Sequence, residues 1–232
     1  MTLKEAIKAR HSVRAYREEP LTAEQVAALE AKIEEVNAAG GMHVQLVCDE
    51  PRAFSCMLAR YGRFRGVKNY IVMAGRKDKG LDRRTGYYGE QLVLLAQTLG
   101  LNTCWAGMSH GNVPGTYVLD DNEKVACYIA IGRGETQGCG HKIKPVEKVS
   151  NADTTTPAWF RDGVEAALLA PTSMNQQKFR FEFIPAEDGG KPQVRATHAR
   201  FSLIGYLQMD LGIACCHFET GAGKENFEWY KE

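Results

Sequence analysis

The sequence has no long apolar run, few cysteines and almost no net charge, and each of these absences excludes a class of protein. No stretch of its 232 residues approaches the roughly 18 consecutive apolar residues of a transmembrane helix. Its N-terminal residues alternate charged and apolar side chains, so they lack the apolar centre of a secretory signal peptide. The 7 cysteines are too few for a disulfide scaffold at this length, and reduced thiols in a cytoplasmic protein fit them better.

The charges balance almost completely. The chain has 29 Lys and Arg residues against 28 Asp and Glu residues, a formal net charge of +1. The composition therefore gives no electrostatic reason to expect nucleic acid or an anionic membrane as a partner. Hydrophobic residues make up 44% of the chain and charged residues 25%, which is typical of a globular protein. The length allows one large domain or two small ones.

Helix signals and apolar runs outline the secondary structure. Capping boxes formed by Thr2 with Glu5 and by Thr22 with Gln25 predict two helix starts, and Gly40-Gly41 predicts the end of the second helix. The predicted helices cover about residues 3–9, 23–39, 87–99, 157–170 and 204–211, and the predicted strands cover residues 43–48, 70–74, 125–131, 179–184 and 194–198.

The order of elements recurs after a polar connector at residues 149–156. Thr156 and Pro157 suit the N-cap and first position of a helix that opens the second half. Each half also has a buried helix that we expect to end in a Leu-Gly-apolar step, at residues 99–101 and 211–213. We interpret this order as a weak internal duplication, with repeats at 1–150 and 151–232. The alternative is chance, since two buried helices are common in α+β folds.

A compact group of polar side chains follows the first helix. Arg10, His11, Ser12 and Arg14 offer two guanidinium groups, an imidazole and a hydroxyl within five residues. Such a set suits a phosphate or another anion. The alternative is a solvated basic turn, because cations are also favoured at helix C-termini.

A second polar group separates an apolar helix from an apolar strand. It consists of Pro171, Thr172, Ser173, Asn175 and Gln177. Its hydroxyl and amide groups both donate and accept hydrogen bonds, which suits the pyrimidine edge of a flavin ring. An ordinary turn at the end of a helix is the alternative.

The sequence motifs for other ligands are incomplete in this chain. After Gly132-Arg-Gly134, Gln137 stands where a dinucleotide fingerprint needs its third glycine, and Gly221-Ala-Gly-Lys224 lacks the upstream glycine and the Ser or Thr of a P-loop. The groups Cys127/Cys139/His141 and Cys215/Cys216/His217 lack zinc-knuckle spacing, so we expect buried thiols and no metal.

These pieces together resemble the FMN-dependent nitroreductase family. Arg10-His-Ser-Val-Arg14 with Tyr16 and Pro20 is similar to the family's N-terminal phosphate- and flavin-binding signature. Residues 170–177 resemble its other main flavin motif. The resemblance implies an α+β nitroreductase-like fold and an FMN cofactor. The cofactor-binding residues that it implies, beyond the two groups above, are Trp105, Ala106 and Gly107 at a late helix end and Lys142 and Lys144 in a basic tail.

The order of the two flavin motifs departs from the family pattern. The Ser/Asn motif usually follows the Arg motif after one helix, but that place here holds Ala38-Ala-Gly-Gly41. Family members are usually homodimers with each FMN at the interface. We therefore expect two tandem helix–sheet repeats packed as a pseudo-dimer in one chain, with one FMN between them and the symmetric second site empty. The assembly would be a monomeric pseudo-dimer or a homodimer.

The resemblance implies a flavin-dependent reductase. NAD(P)H would be the transient reductant, and the partner would be a small electron-poor acceptor such as a nitroaromatic or a quinone. Arg14 is the predicted catalytic residue, because a fixed cation beside the flavin would stabilise its reduced form. One alternative is a flavin-binding or flavin-handling protein without reductase turnover. Another is a structural protein whose Arg motif is a solvated turn.

Overall fold

The structure is a computed structural model that describes residues 1–186 and 189–231. It is an α+β fold, as the family resemblance implies. The helices are α1 (Leu3–Ala9), α2 (Ala23–Gly40), α3 (Met57–Tyr61), α4 (Leu81–Thr98), α5 (Val146–Val149), α6 (Ala158–Leu168) and α7 (Leu207–Ala222). The strands are β1 (Gln45–Val47), β2 (Asn69–Arg76), β3 (Asn102–Ala106), β4 (Glu123–Gly132), β5 (Phe179–Ile184), β6 (Gln193–His198) and β7 (Glu228–Trp229).

Both predicted capping boxes are confirmed. The Thr2 hydroxyl accepts a hydrogen bond from the Glu5 amide, the Glu5 carboxylate accepts one from the Thr2 amide, and Thr22 with Gln25 repeats the arrangement. Gly41 ends α2 in the left-handed region, at φ 55°, a conformation that glycine adopts without steric cost.

Two sheets flank the helices. The first has the strand order β1-β2-β4-β3, with every neighbouring pair antiparallel. The second has the order β5-β6-β7, in which β6 and β7 are parallel. Strand β2 is buried on both faces up to Gly75. Its Ile71 packs in the large core under the helices, and Val72 packs in a smaller cluster on the opposite face.

Helices α4 and α7 cross at the centre of the molecule, where their backbones are in direct contact. A Cβ atom added at Gly86 of α4 would lie 2.0 Å from the carbonyl oxygen of Met209, and one added at Gly212 of α7 would lie 2.2 Å from that of Arg83. The contact is therefore reciprocal, since equivalent positions on the two helices exchange the same interaction. Only glycine permits so close an approach.

This crossing corrects one sequence expectation. The helix predicted to end at Gly212 instead runs from Leu207 to Ala222, and Gly212 lies in its interior. The Leu-Gly step at residues 99–101 does end α4, with Gly100 at φ 75°. The two Leu-Gly steps are therefore not equivalent, because Gly212 serves helix packing and not helix termination.

Two further boundaries differ from the prediction. The N-cap of α6 is Pro157 and not Thr156, because the Thr156 hydroxyl donates to the carbonyl oxygen of Asp153. The segment around Trp105, expected at a helix end, forms strand β3. Asn102 anchors the start of β3 by accepting a hydrogen bond from the Gly134 amide at 3.0 Å.

None of the described helices combines the length and the apolar character that crossing a membrane requires.

Candidate functional site

A cleft of about 260 Å³ lies at the N-terminal end of α7. Its walls come from segments that are far apart in the sequence: residues 12–14, the end of β3, residues 171–174 and the first turns of α7. The predicted site residues that line it are Ser12, Arg14, Trp105, Gly107, Pro171, Thr172 and Ser173. The cleft thus joins the two polar groups that the sequence singled out.

The Arg motif reaches the cleft because it runs beside β3. Ser12 pairs with Thr103, and the Val13 amide donates to the Thr103 carbonyl oxygen at 3.0 Å. An extended chain directs successive side chains to opposite sides, so Val13 is buried while Ser12 and Arg14 line the cleft. Arg14 is exposed and has no ion-pair partner within residues 1–186 and 189–231. Its positive charge is available to an anionic ligand.

Arg10 lies in the core and does not line the cleft. It is only 3% exposed, its Nε lies 3.8 Å from Oε1 of Glu90, and its Nη2 donates to the Leu169 carbonyl oxygen at 3.4 Å. Burial lowers the pKa of Arg10, and the Glu90 carboxylate opposes that shift. His11 is half-buried outside the cleft lining, and burial lowers its pKa as well. The expected phosphate contact of Arg10 therefore lacks a direct path from this cleft.

The loop that carries the second polar group has an unusual backbone. Met174, Asn175 and Gln177 have φ angles of 50°, 54° and 42°, in the left-handed region that residues with a Cβ rarely adopt. Such a conformation persists where surrounding contacts fix it. The Gln177 amide donates to Thr172 Oγ1, and the Ser173 amide donates to Asp210 Oδ1 at 3.0 Å.

The four predicted residues Asn175, Gln177, Lys142 and Lys144 contact one another and do not line the cleft. The side-chain amides of Asn175 and Gln177 both donate to the Lys142 carbonyl oxygen at 2.8 Å. The Lys144 ammonium donates to the carbonyl oxygens of Gln176 and Gln177, also at 2.8 Å. These bonds tie the basic tail of the first half to the loop of the second half. Ala106 does not line the cleft either, because it is buried between the lining residues Trp105 and Gly107.

The most important cleft residue that the sequence reading missed is Asp210. It is 5% exposed, and it accepts hydrogen bonds from the Ser173 amide and from Gln176 Nε2 at 2.7 Å. Burial raises the pKa of Asp210 to about 6, although these two donors oppose the shift. Asp210 could have been found from the sequence as an acidic residue in the first turn of a helix. The predicted helix, however, began three residues before the observed start at Leu207, so Asp210 fell near its predicted end.

Behind the cleft, Glu90 of α4 lies in the core against Trp105, His217 and Arg10. The Trp105 indole donates to Oε2 at 2.9 Å, and His217 Nε2 lies 2.8 Å from Oε1, beside Arg10. His217 Nδ1 faces the Ala166 carbonyl oxygen at 3.1 Å. This network fixes the Trp105 ring that forms one wall of the cleft.

The mouth of the cleft is apolar. Met108, Met174 and Ile204 are exposed and line it. Tyr206 closes one side and packs against Gly107, where an added Cβ would lie 2.5 Å from the tyrosine hydroxyl. Flexible thioether side chains adapt to ligands of different shape.

Cysteines in the cleft are not activated. Burial raises the pKa of Cys104 and of Cys127, so both side chains are neutral thiols at physiological pH. Among the described residues, no group of three or more His, Cys, Asp or Glu side chains is arranged to hold a metal ion.

The fold and the cleft define a class, namely an α+β protein with a ligand cleft at the end of a central helix pair. The family described as "Putative TM nitroreductase" matches residues 2–222. The chain therefore belongs to this nitroreductase family.

Solved structures agree with this assignment. A "putative nitroreductase" from Thermotoga maritima is 22% identical, with a TM-score of 0.63 over 97% of this chain and 85% of that one. A "putative nitroreductase" from Desulfovibrio desulfuricans, in complex with FMN, is 22% identical, with a TM-score of 0.52 over 68% of this chain and 99% of that one. At these identities the likeness establishes the fold. No curated protein matches the sequence.

Proposed function

We propose that the protein is an FMN-dependent oxidoreductase of the nitroreductase type. It would pass a hydride from NAD(P)H, by way of the bound flavin, to a small electron-poor acceptor such as a nitroaromatic or a quinone. The observation that carries the proposal is the cleft itself, because Ser12 and Arg14 meet Pro171, Thr172 and Ser173 there. The Desulfovibrio desulfuricans neighbour, which is a complex with FMN, supports this choice of cofactor.

The residues of the cleft fit a flavin by their chemistry. Arg14 supplies a cation with no ion-pair partner among the described residues, and Ser12, Thr172 and Ser173 supply hydroxyl groups that donate and accept. Trp105, Met209 and Ile213 supply apolar surface for a planar ring. The chemistry that FMN supplies when bound is hydride acceptance and delivery.

The residues of the chain have separate tasks in this proposal. Arg14 would hold the cofactor and stabilise negative charge that develops on reduction. Asp210 would keep the loop at Ser173 in place through its two hydrogen bonds. The apolar mouth of Met108, Met174 and Ile204 would admit a flat hydrophobic acceptor and exclude water from the cleft.

We further infer that the chain is a fused pseudo-dimer of the two halves 1–150 and 151–232. The reciprocal contact of Gly86 and Gly212 supports this inference, since an exchange of equivalent contacts is characteristic of a twofold interface. The cleft draws on both halves, so the proposal requires one FMN per chain. An absorption spectrum of protein titrated with FMN measures this ratio, and two flavins per chain would contradict it.

Substitution of Arg14 tests the proposed role of its charge. Loss of one charge-assisted hydrogen bond costs about 1.5–3 kcal/mol, so Arg14→Ala should weaken FMN binding by roughly ten- to a hundredfold. The flavin that remains bound should have a lower reduction potential than in the wild type. Arg17→Ala is the matched control, because Arg17 is exposed in the same segment and pairs with Glu19 on the surface.

Two results would count against this function. Equal FMN affinity and equal potential in the Arg14 and Arg17 variants would remove the role of Arg14. A flavin-loaded protein that does not oxidise NADH or NADPH with any quinone or nitroaromatic acceptor would favour a flavin-binding protein without turnover.

A further inference from the structure

A second cleft, of about 430 Å³, lies at the N-terminal end of α4. Arg83, Arg84, Tyr87 and Tyr88 of α4 line one side of it, and Trp229 of β7 lines another. None of its lining residues belongs to the cleft at the start of α7. It is therefore a separate candidate site.

The two clefts are related through the crossing helices. Gly80, Arg83, Arg84 and Tyr87 line the second cleft. They have the same spacing along the chain as Tyr206, Met209, Asp210 and Ile213, which line the first. A tryptophan in a strand after the helix contributes to each cleft, Trp105 in the first and Trp229 in the second. The second cleft thus occupies the equivalent position on the other helix.

The charge of the second cleft differs from that of the first. Where α7 presents Met209 and Asp210, α4 presents two arginines. Arg84 is already paired with Asp78, with Nη2 2.8 Å from Oδ2 and Nη1 3.1 Å from Oδ1. Arg83 is exposed, and the one hydrogen bond of its side chain within the described chain is from Nη2 to the Cys215 sulfur at 4.0 Å. Arg83 is therefore the guanidinium that remains available to an anion.

The aromatic walls are held in fixed orientations. Glu219 accepts a hydrogen bond from the Trp229 indole at 2.6 Å and another from the Tyr87 hydroxyl. Tyr87 and Tyr88 pack edge to face, with ring centroids 5.1 Å apart. Because the Glu219 carboxylate is already bonded to two donors of the wall, its charge is partly compensated. Rings with fixed orientations lose little entropy when a planar ligand packs on them.

We propose that this second cleft binds a small planar aromatic anion, with the ring against Tyr87 and Trp229 and the anionic group on Arg83. Guanidinium groups bind carboxylates and similar anions through paired hydrogen bonds, and aromatic side chains supply flat apolar surface. A second FMN fits less well, because the segment equivalent to the Thr172/Ser173 loop is Ala38-Ala-Gly-Gly41, which has no hydroxyl group. The proposal does not depend on the function assigned to the first cleft.

Isothermal titration calorimetry with naphthoate, and with neutral naphthol as the matched probe, tests the site. The protein is saturated with FMN, and the titration is repeated without FMN. With FMN bound we expect one naphthoate per chain and at least tenfold weaker binding of naphthol, whereas without FMN the first cleft is also open to the probe. Arg83→Gln should weaken naphthoate binding about tenfold or more, whereas Arg161→Gln, at an exposed arginine of α6, should leave it unchanged.

Three outcomes would overturn the proposal. They are no measurable binding of naphthoate at millimolar concentration, equal binding by the Arg83→Gln variant, and loss of binding when FMN is added. The last outcome would place the probe in the first cleft. Because Arg83 is exposed, its substitution should not disturb folding, which circular dichroism checks.

Discussion

Replacing Glu90 by glutamine removes one negative charge from a site that is 0% exposed, where the carboxylate faces Arg10, His217 and the Trp105 indole. Glutamine has nearly the same shape, so the change leaves no cavity. Its carbonyl oxygen can still accept from the Trp105 indole, and its NH₂ group can donate to His217 Nε2, whose Nδ1 donates to the Ala166 carbonyl oxygen, so the loss falls on Arg10. The guanidinium of Arg10, 3% exposed, loses its only acidic neighbour in the described chain.

Breaking a buried ion pair on one side costs about 3–5 kcal/mol, because the remaining charge is left uncompensated. That is a large part of the roughly 5–15 kcal/mol that stabilises a typical protein. In urea unfolding, with a slope of about 3 kcal/mol per molar, the midpoint should fall by about 1 M or more. The slope itself should not change.

Glu219→Gln is the matched control for this prediction. Glu219 also accepts a bond from a tryptophan indole and a second bond from Tyr87, but its side chain is 11% exposed, and its ion pair with Lys224 at 3.9 Å lies at the surface. We expect a loss of about 1 kcal/mol there. Adding Arg10→Met to Glu90→Gln should recover stability, since the guanidinium that lost its partner is then gone as well. A Glu90→Gln loss no larger than that of Glu219→Gln, or no recovery in the double variant, would refute the reasoning.

Two further predictions concern the ends of the central helices. Burial raises the pKa of Asp210 from 3.8 to about 6, so the folded protein binds this proton more tightly than the unfolded chain does. The contribution of Asp210 to stability is then greatest below about pH 4 and is lost as the pH rises to about 6, by roughly 3 kcal/mol at most. Urea unfolding of the wild type and of Asp210→Asn across this range should show the difference, and a constant gap between them would contradict it. Gly86→Ala should destabilise the protein by about 3 kcal/mol or more, because its Cβ would lie 2.0 Å from a carbonyl oxygen of α7. Gly111→Ala, whose nearest neighbouring atom would lie 3.6 Å away, should change the thermal midpoint little, and similar midpoints for both variants would argue against the close crossing.

Local signals in the sequence predicted much of the fold. The capping boxes at Thr2 and Thr22 and the apolar runs of β2, β4 and β5 identify elements that form from neighbouring residues. The start of α4 was missed because its first turns are polar, with Asp82, Arg83 and Arg84 on the helix surface. Strand β3 was not predicted, because its five residues are too few to show a clear strand pattern.

Long-range packing accounts for what the sequence could not reveal. Gly212 was taken for a helix end, which is the commonest role of glycine near a helix, but its lack of a side chain serves the approach of α4. The family resemblance placed Arg14 and Ser173 in one site. The role of Asp210 became visible only in the folded structure, where α7 packs against the loop that carries Ser173. The positions of Arg10, Asn175 and Lys144 depend on which acceptors the tertiary fold brings near them.

The crossing of α4 and α7 also has a consequence for the order of events during synthesis. The N-terminal half is synthesised first, but the face of α4 around Gly86 packs against α7 (Leu207–Ala222), which is synthesised much later. Until then, Leu92 and Val93, which are fully buried in the finished protein, lack part of their core. We expect the nascent first half to stay loosely packed and exposed to chaperones until α7 has been synthesised, because the cleft requires residues of α7. Closing so long a loop costs only slightly more entropy than closing a shorter one. The late synthesis of α7 therefore delays the packing of the core without lowering the stability of the finished protein.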